Sequence, residues 1–250
     1  MTEDFCQPNT TFRTSYRALE EQMRIQAEAD GNVFLPNPEP EGPVDYVLIC
    51  MEPSLGRWAR NAEEARVRVK EGFKNFVSSV EISILHFCVR HYLCGPAQRY
   101  HITDLSKGAM LVKNAPSERI QRYHRWYPLL EKELNLVTTP NAKFVAVGNV
   151  VTEYLKQRRF SRPLTQIMHY SSLAGNARKA GIAGRESSFE SFKSSVTLDD
   201  LRATVDDVLK KAQVSSSIKN ETLSRLAKSR LSESHLQLIY NYKIAFEAMR

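Results

Sequence analysis

A chain of 250 residues that is 42% hydrophobic can bury one substantial core with helices appended. It contains no run of about eighteen apolar residues, so a membrane span is excluded. Met1 to Asn9 lack the basic start and apolar stretch of a secretory leader, and Cys6, Cys50, Cys88 and Cys94 show no Cys-x-x-Cys spacing, so reduced thiols in the cytoplasm are expected. In chain order, Arg13 to Ala29 places Tyr16, Leu19 and Met23 on one side of an amphipathic helix, and Pro36, Pro38, Pro40 and Pro43 follow in a connecting loop. The loop leads into Asp45-Tyr46-Val47-Leu48-Ile49-Cys50-Met51, a short apolar run of buried-strand type that Glu52-Pro53 ends, because proline cannot extend the hydrogen-bond ladder. Glu52 therefore stands at the C-terminal end of a strand, where open α/β sheets bind ligands, and is a catalytic candidate. Taken alone, the motif reads more readily as a solvated loop glutamate.

Further along, Asn61 to Lys70 and Pro116 to Glu133 read as helices covering a sheet, the second with Trp126, Leu129, Leu130 and Leu134 as a core-facing stripe. Through the stretch from His86 to Cys94 and the residues just before it, Ile84, Cys88 and His91 recur at helical spacing. Packing is therefore expected there rather than a metal or cluster site, for which two thiols are too few. Two more strand candidates are Tyr100 to Leu105, ending near a polar cluster, and Lys143 to Asn149, ending in a glycine turn. The apolar pair Ile167-Met168 precedes His169-Tyr170-Ser171-Ser172-Leu173. From Tyr154 to Arg185 run Lys156, Arg158, Arg159, Arg162, Arg178, Lys179 and Arg185 with no acidic residue between them, together with Gly175, Gly181 and Gly184. Such a stretch suits a polyanion, with glycines that let backbone amides approach it; an ordinary basic surface is the alternative.

In this order and spacing, Met51-Glu52-Pro53-Ser54, Ile102-Thr103-Asp104-Leu105-Ser106-Lys107, Phe144 to Asn149 and His169-Tyr170-Ser171-Ser172-Leu173 resemble the uracil-DNA glycosylase superfamily over about residues 43 to 175. Cys50 replaces the glycine usual before the first motif, Tyr170 replaces a proline of the last, and Asp104 stands where many members carry asparagine. The resemblance implies a three-layer αβα fold around a central four-stranded, mostly parallel sheet, occupying residues 1–186 with the N-terminal helix included. Residues 187–250 would be a helical C-terminal extension.

The same resemblance implies a DNA glycosylase without cofactor or metal. Glu52 would orient or deprotonate the attacking water and His169 would donate to the departing base. Asp104, Phe73 and Phe76 would hold the flipped base, Ser54 and Ser171 would contact phosphate, and Leu173 would fill the gap left in the duplex. Arg178 and Lys179 add DNA contacts from the basic stretch. An ionised Asp104 only accepts, which matches the amino group of a cytosine-like base, so a modified cytosine is the expected substrate, with defence against phages carrying modified DNA as a role. Open alternatives are a uracil repair glycosylase with Asp104 as a structural cap, a catalytically silent DNA-binding module, and a hydrolase of free nucleosides or nucleotides. In the tail, Thr197-Leu198-Asp199-Asp200 reads as a helix N-cap, Ser215 to Ser217 as a break, and Glu221 to Leu231 and Ser234 to Met249 as helices that pack on the core.

Overall fold

The computed structural model describes residues 10–56, 58–171 and 174–250. The architecture is mixed α/β, with four parallel strands, β2 (Val44–Cys50), β3 (Tyr100–Asp104), β5 (Thr138–Val147) and β6 (Leu164–Ile167), lying side by side in the order β3-β2-β5-β6. Alternation along the buried strands divides the core. Tyr46, Leu48, Cys50, Ile102, Val145 and Val147 face one side, where α3 (Val80–Cys88), α7 (Glu186–Phe192) and α10 (Glu233–Glu247) supply Ile84, Phe189, Leu238 and Tyr242. Val44, Val47, Ile49, Phe144 and Ala146 face the other, against α1 (Thr10–Ala29), α4 (Arg119–Val137) and α5 (Asn149–Gln157). A small antiparallel pair, β1 (Val33–Phe34) with β4 (Gly108–Ala109), sits beside the main sheet. No helix among the described residues is long and apolar enough to cross a membrane.

The remaining helices follow local signals. Asn61 caps α2 (Ala62–Lys70) through its side chain, and Thr197 with Asp200 forms a capping box on α8 (Leu198–Lys211). Ser215 caps α9 (Ser216–Ala227) where the serine run interrupts the helical pattern. The tail is no appendage: Leu238, Ile239, Tyr242 and Phe246 of α10 belong to the same core as β2, β3 and β5. The expected stripe of Ile84, Cys88 and His91 holds only for its first two members. After Cys88 the chain winds as a π-turn, Val89–Leu93, which shifts the helical phase and leaves His91 exposed.

One charged cluster lies entirely inside the protein. Glu133 of α4 accepts from Lys107 Nζ at 2.7 Å and Thr103 Oγ1 at 2.8 Å, with His101 Nε2 at 3.0 Å, and Lys107 also reaches Thr103 Oγ1. Burial pushes the Glu133 carboxyl up, but the Lys107 ammonium and the His101 contact outweigh it and hold the group down at about 2. Because the folded value lies below the ordinary 4.5, the carboxylate stabilises the fold fully above about pH 4.5, and that contribution is lost as pH falls towards 2. Urea midpoints at about pH 7 and pH 3 are expected to fall further apart in the wild type than in Glu133→Gln. At neutral pH the substitution itself is expected to remove about 3–5 kcal/mol by stranding Lys107.

Gly181, just beyond α6 (Gly175–Ala180), marks the closest approach to α10. A Cβ there would stand 1.8 Å from Asn241 Oδ1, and Asn241 is itself held by the carbonyls of Arg178 and Gln237 at 3.0 and 2.8 Å. Close approach to an anion was the expectation for this glycine, and the structure assigns its space to a helix contact instead. Gly181→Ala is expected to lower stability by about 1–3 kcal/mol in urea unfolding, and adding Asn241→Ala to restore part of it.

Candidate active site

The connections explain why the chemistry collects where it does. The chain passes from β2 to β3 through α2 and α3, then returns through α4 to the other side of β2, so β2 and β5 flank the point where strand order reverses. In parallel sheets the crevice at the carboxyl ends of such a strand pair is the natural ligand site. Asp104 ends β3, and Glu52, Gly148 and His169 follow the carboxyl ends of β2, β5 and β6, so the four line one edge in that order. Only β5 separates the strands that lead to Glu52 and His169, two strand spacings or roughly 10 Å.

Glu52 does not wave in solvent; its side chain is 2% exposed. Arg119 donates to Oε1 from Nε at 3.0 Å and Nη2 at 2.8 Å, Arg122 Nη2 lies 3.8 Å from the same oxygen, and the Tyr123 hydroxyl donates to Oε2. Burial and the Glu52 charge push the Tyr123 phenol well up, so it keeps its proton and stays a donor. These partners fix the carboxylate in place: Oε1 already takes two donors, and Oε2, with one, keeps a second acceptor position. Arg119, Arg122 and Tyr123 share one face of α4 at i, i+3 and i+4.

Asp104 is buried at the end of β3, where Asn75 Nδ2 donates to its Oδ2 at 2.5 Å. Burial pushes its carboxyl up to about 8, with Lys107 pulling against the rise and Glu52 adding to it. At neutral pH it therefore mostly carries a proton. The expectation of an ionised, accept-only Asp104 is corrected: near pH 7 it offers a donor as well as an acceptor, as an asparagine does, and becomes accept-only above about pH 8.

His169 follows β6, beside Gly148, whose φ of +93° and missing side chain let the turn approach; a Cβ there would lie 3.2 Å from His169 Cβ. Burial, aided by the charge of Arg178, holds the imidazole down at about 4, so the ring is neutral at pH 7. Nδ1 accepts from the Ser171 N–H at 3.0 Å, which leaves the proton on Nε2. Tyr170 stacks on this ring with centroids 4.4 Å apart and extends its phenol to Cys50 and towards Asp104. Behind the loop, Tyr242 of α10 donates to the Met168 carbonyl at 2.9 Å.

Other expected site residues fall less simply. Ser54 and Ser171 are half-buried next to Glu52 and His169, Lys179 is exposed on α6, and Leu173 lies outside the described residues. Phe73 is corrected to core packing: it is buried against Trp58, centroids 4.6 Å apart, among Leu55, Ala65 and Ile218. Phe76 is buried too, and the residue between the two that reaches the site is Asn75. Arg178 is corrected from a DNA contact to a buried clamp, donating to the carbonyls of Tyr170 and Ser171 at 2.5 and 2.9 Å and to Ser234 Oγ at 2.9 Å. The basic stretch is also divided. Helix α5 returns to the amino end of the sheet, carrying Lys156, Arg158, Arg159 and Arg162 away from Glu52 and His169. There Arg158 and Arg162 lie over the rings of Tyr127 and Phe144.

Sequence reading missed Asn75, Arg119, Arg122 and Tyr123. The i, i+3, i+4 spacing of the last three was the available signal, hidden inside a helix assigned only a packing role. The cavity of about 460 Å³ lies elsewhere, beside the start of β3.

The His169 loop makes a spectroscopic prediction. In an NMR titration the His169 midpoint is expected near 4, and Arg178→Met is expected to raise it while leaving it below 6.5, because burial is the larger cause. No family model matches the chain, and no curated protein or solved structure matches it either.

Proposed function

We propose that this protein is a DNA glycosylase which flips a base from the stack and hydrolyses its N-glycosidic bond, leaving an abasic site. The observation that carries the reading is a fixed carboxylate, a neutral imidazole protonated on Nε2 and a buried carboxyl all placed along one sheet edge. Cleaving the bond leaves positive charge on the sugar and moves an electron pair onto the base, so the site needs an anion near the ring and a donor near the base. Glu52 supplies the first and orients the water whose oxygen bonds to C1′. His169 Nε2–H supplies the second, and a water proton ends on the departing base.

Asp104 reads the base edge. Ionised, it accepts from the exocyclic amino group of a cytosine derivative and repels the O4 oxygen of uracil; protonated, it also serves uracil or another deaminated base. A modified cytosine remains the proposed substrate, with defence against phages carrying modified DNA as the role, and the proton on Asp104 near pH 7 favours uracil as the second reading. The close hold of Arg119 and Tyr123 on Glu52 favours a third, a silent DNA-binding module.

Oligonucleotides containing uracil, cytosine, hydroxymethylcytosine or glucosylated hydroxymethylcytosine, assayed for alkali-labile sites, separate these. Glu52→Gln is expected to slow base release by about 10²–10⁴-fold with DNA binding retained. Release of the cytosine derivative is expected to rise, and release of uracil to fall, as pH passes about 8. Asp104→Asn is expected to abolish both trends. Cleavage at uracil alone rejects the cytosine proposal, and no cleavage with intact binding selects the silent module.

A further inference from the structure

Among the groups around the crevice, the Asn75 amide is held one way round. Its Oδ1 accepts the Phe76 N–H at 3.0 Å, and an N–H only donates, so Nδ2 is the end that faces Asp104 Oδ2 at 2.5 Å and Asn37 Oδ1 at 3.4 Å. The buried groups behind it enforce the same sense. Ionised Glu133 only accepts, so Thr103 gives it the hydroxyl proton at 2.8 Å, and Thr103 Oγ1 in turn accepts from Asn37 Nδ2 at 3.2 Å. That leaves Asn37 Oδ1 to accept from Asn75. Each member donates to the next on the way to Glu133, and Asn75 gives its other N–H to Asp104. Phe76 stands at a φ of +55°, a strained conformation for phenylalanine, kept by Asn75 Oδ1 on its N–H and by His86 Nε2 on its carbonyl at 2.9 Å.

Asp104 Oδ2 is thereby held as an acceptor whether or not the carboxyl is ionised. Oδ1 takes no hydrogen-bond partner among the described residues. The carbonyl oxygen of a carboxylic acid accepts better than its hydroxyl oxygen, so near pH 7 the proton of Asp104 stays on Oδ1. A base drawn into the crevice therefore meets a donor there. Cytosine presents an acceptor at N3 and a donor in its C4 amino group, whereas uracil presents a donor at N3 and an acceptor at O4. Whichever of these positions lies opposite Oδ1, a donor confined to that oxygen satisfies one base and opposes the other.

We propose that Asn75 is the positioning residue that sets base discrimination, by holding Asp104 Oδ2 as an acceptor and so confining the proton to Oδ1, a role that rests on the glycosylase reading of the carboxyl edge. Two measurements test it, and the first needs no turnover. In the wild type the Asn75 side-chain amide resonance is expected to follow Asp104 ionisation with a midpoint near 8, and Asp104→Asn to abolish that titration. Burial raises the Asp104 carboxyl, Glu52 and Glu133 add to the rise, Lys107 and Asn75 oppose it, and Cys50 and Tyr170 beside it keep their protons. Removing the amide in Asn75→Leu is therefore expected to move the Asp104 midpoint up. A wild-type amide that does not titrate, or a carboxyl midpoint that does not rise in Asn75→Leu, overturns the hold on Asp104 whatever the protein catalyses. At pH 7 Asp104 carries its proton in both proteins, and there the wild-type preference between hydroxymethylcytosine and uracil in oligonucleotides is expected to fall about tenfold in Asn75→Leu. An unchanged preference overturns the discriminating role. No base release by the wild type overturns the glycosylase reading and that role with it, and the amide titration tells this failure from a failure of the hydrogen bond.

Discussion

The buried bond between Glu133 and Lys107 is the constraint on which the site geometry rests. Taking two charges out of water is tolerable only when each finds its partners, and here Thr103 and His101 complete the set. The bond fixes α4 against β3. Arg119 lies fourteen residues earlier on the same helix, about 21 Å along its axis, so the anchor at one end sets how the other end meets Glu52. Strand β3 carries Asp104 just beyond Thr103. One internal tie thus aligns the partners of one site carboxyl and the strand bearing the other.

Around that frame the environment inverts the ordinary order in which two groups titrate. Asp104 is driven up by burial and the neighbouring Glu52, and His169 is driven down by burial and Arg178. Groups displaced in opposite senses within one crevice are what a site needs when it must supply both donors and acceptors at neutral pH. The displacement has a structural origin: α10 closes over the loop carrying His169, and the Arg178 clamp keeps that loop seated.

Much of this architecture was legible from the chain. The run ending at Glu52-Pro53 is a buried strand, the residues from Tyr100 to Asp104 and before Gly148 are its neighbours, and Asn61, Thr197 and Ser215 cap helices as their side chains dictate. Less legible was anything that depends on one element meeting another. Arg178 and Arg162 are alike as letters, yet one is swallowed beneath a loop and the other lies over Phe144 at the far end of the sheet. A phenylalanine beside a glycine was read as a base platform, when the short polar Asn75 was the side chain that reached inward. A π-turn changed the phase of a helix that periodicity alone carried straight through.

The placement of α10 reaches into biosynthesis. Its Leu238, Tyr242 and Phe246 fill the space against strands made well before it, the first of them, β2, nearly two hundred residues earlier. While the nascent polypeptide is still emerging, part of that face of the sheet, beside α3, stays open and apolar until those side chains leave the ribosomal tunnel. During that interval the chain is a client for whatever shields exposed hydrocarbon in the cell.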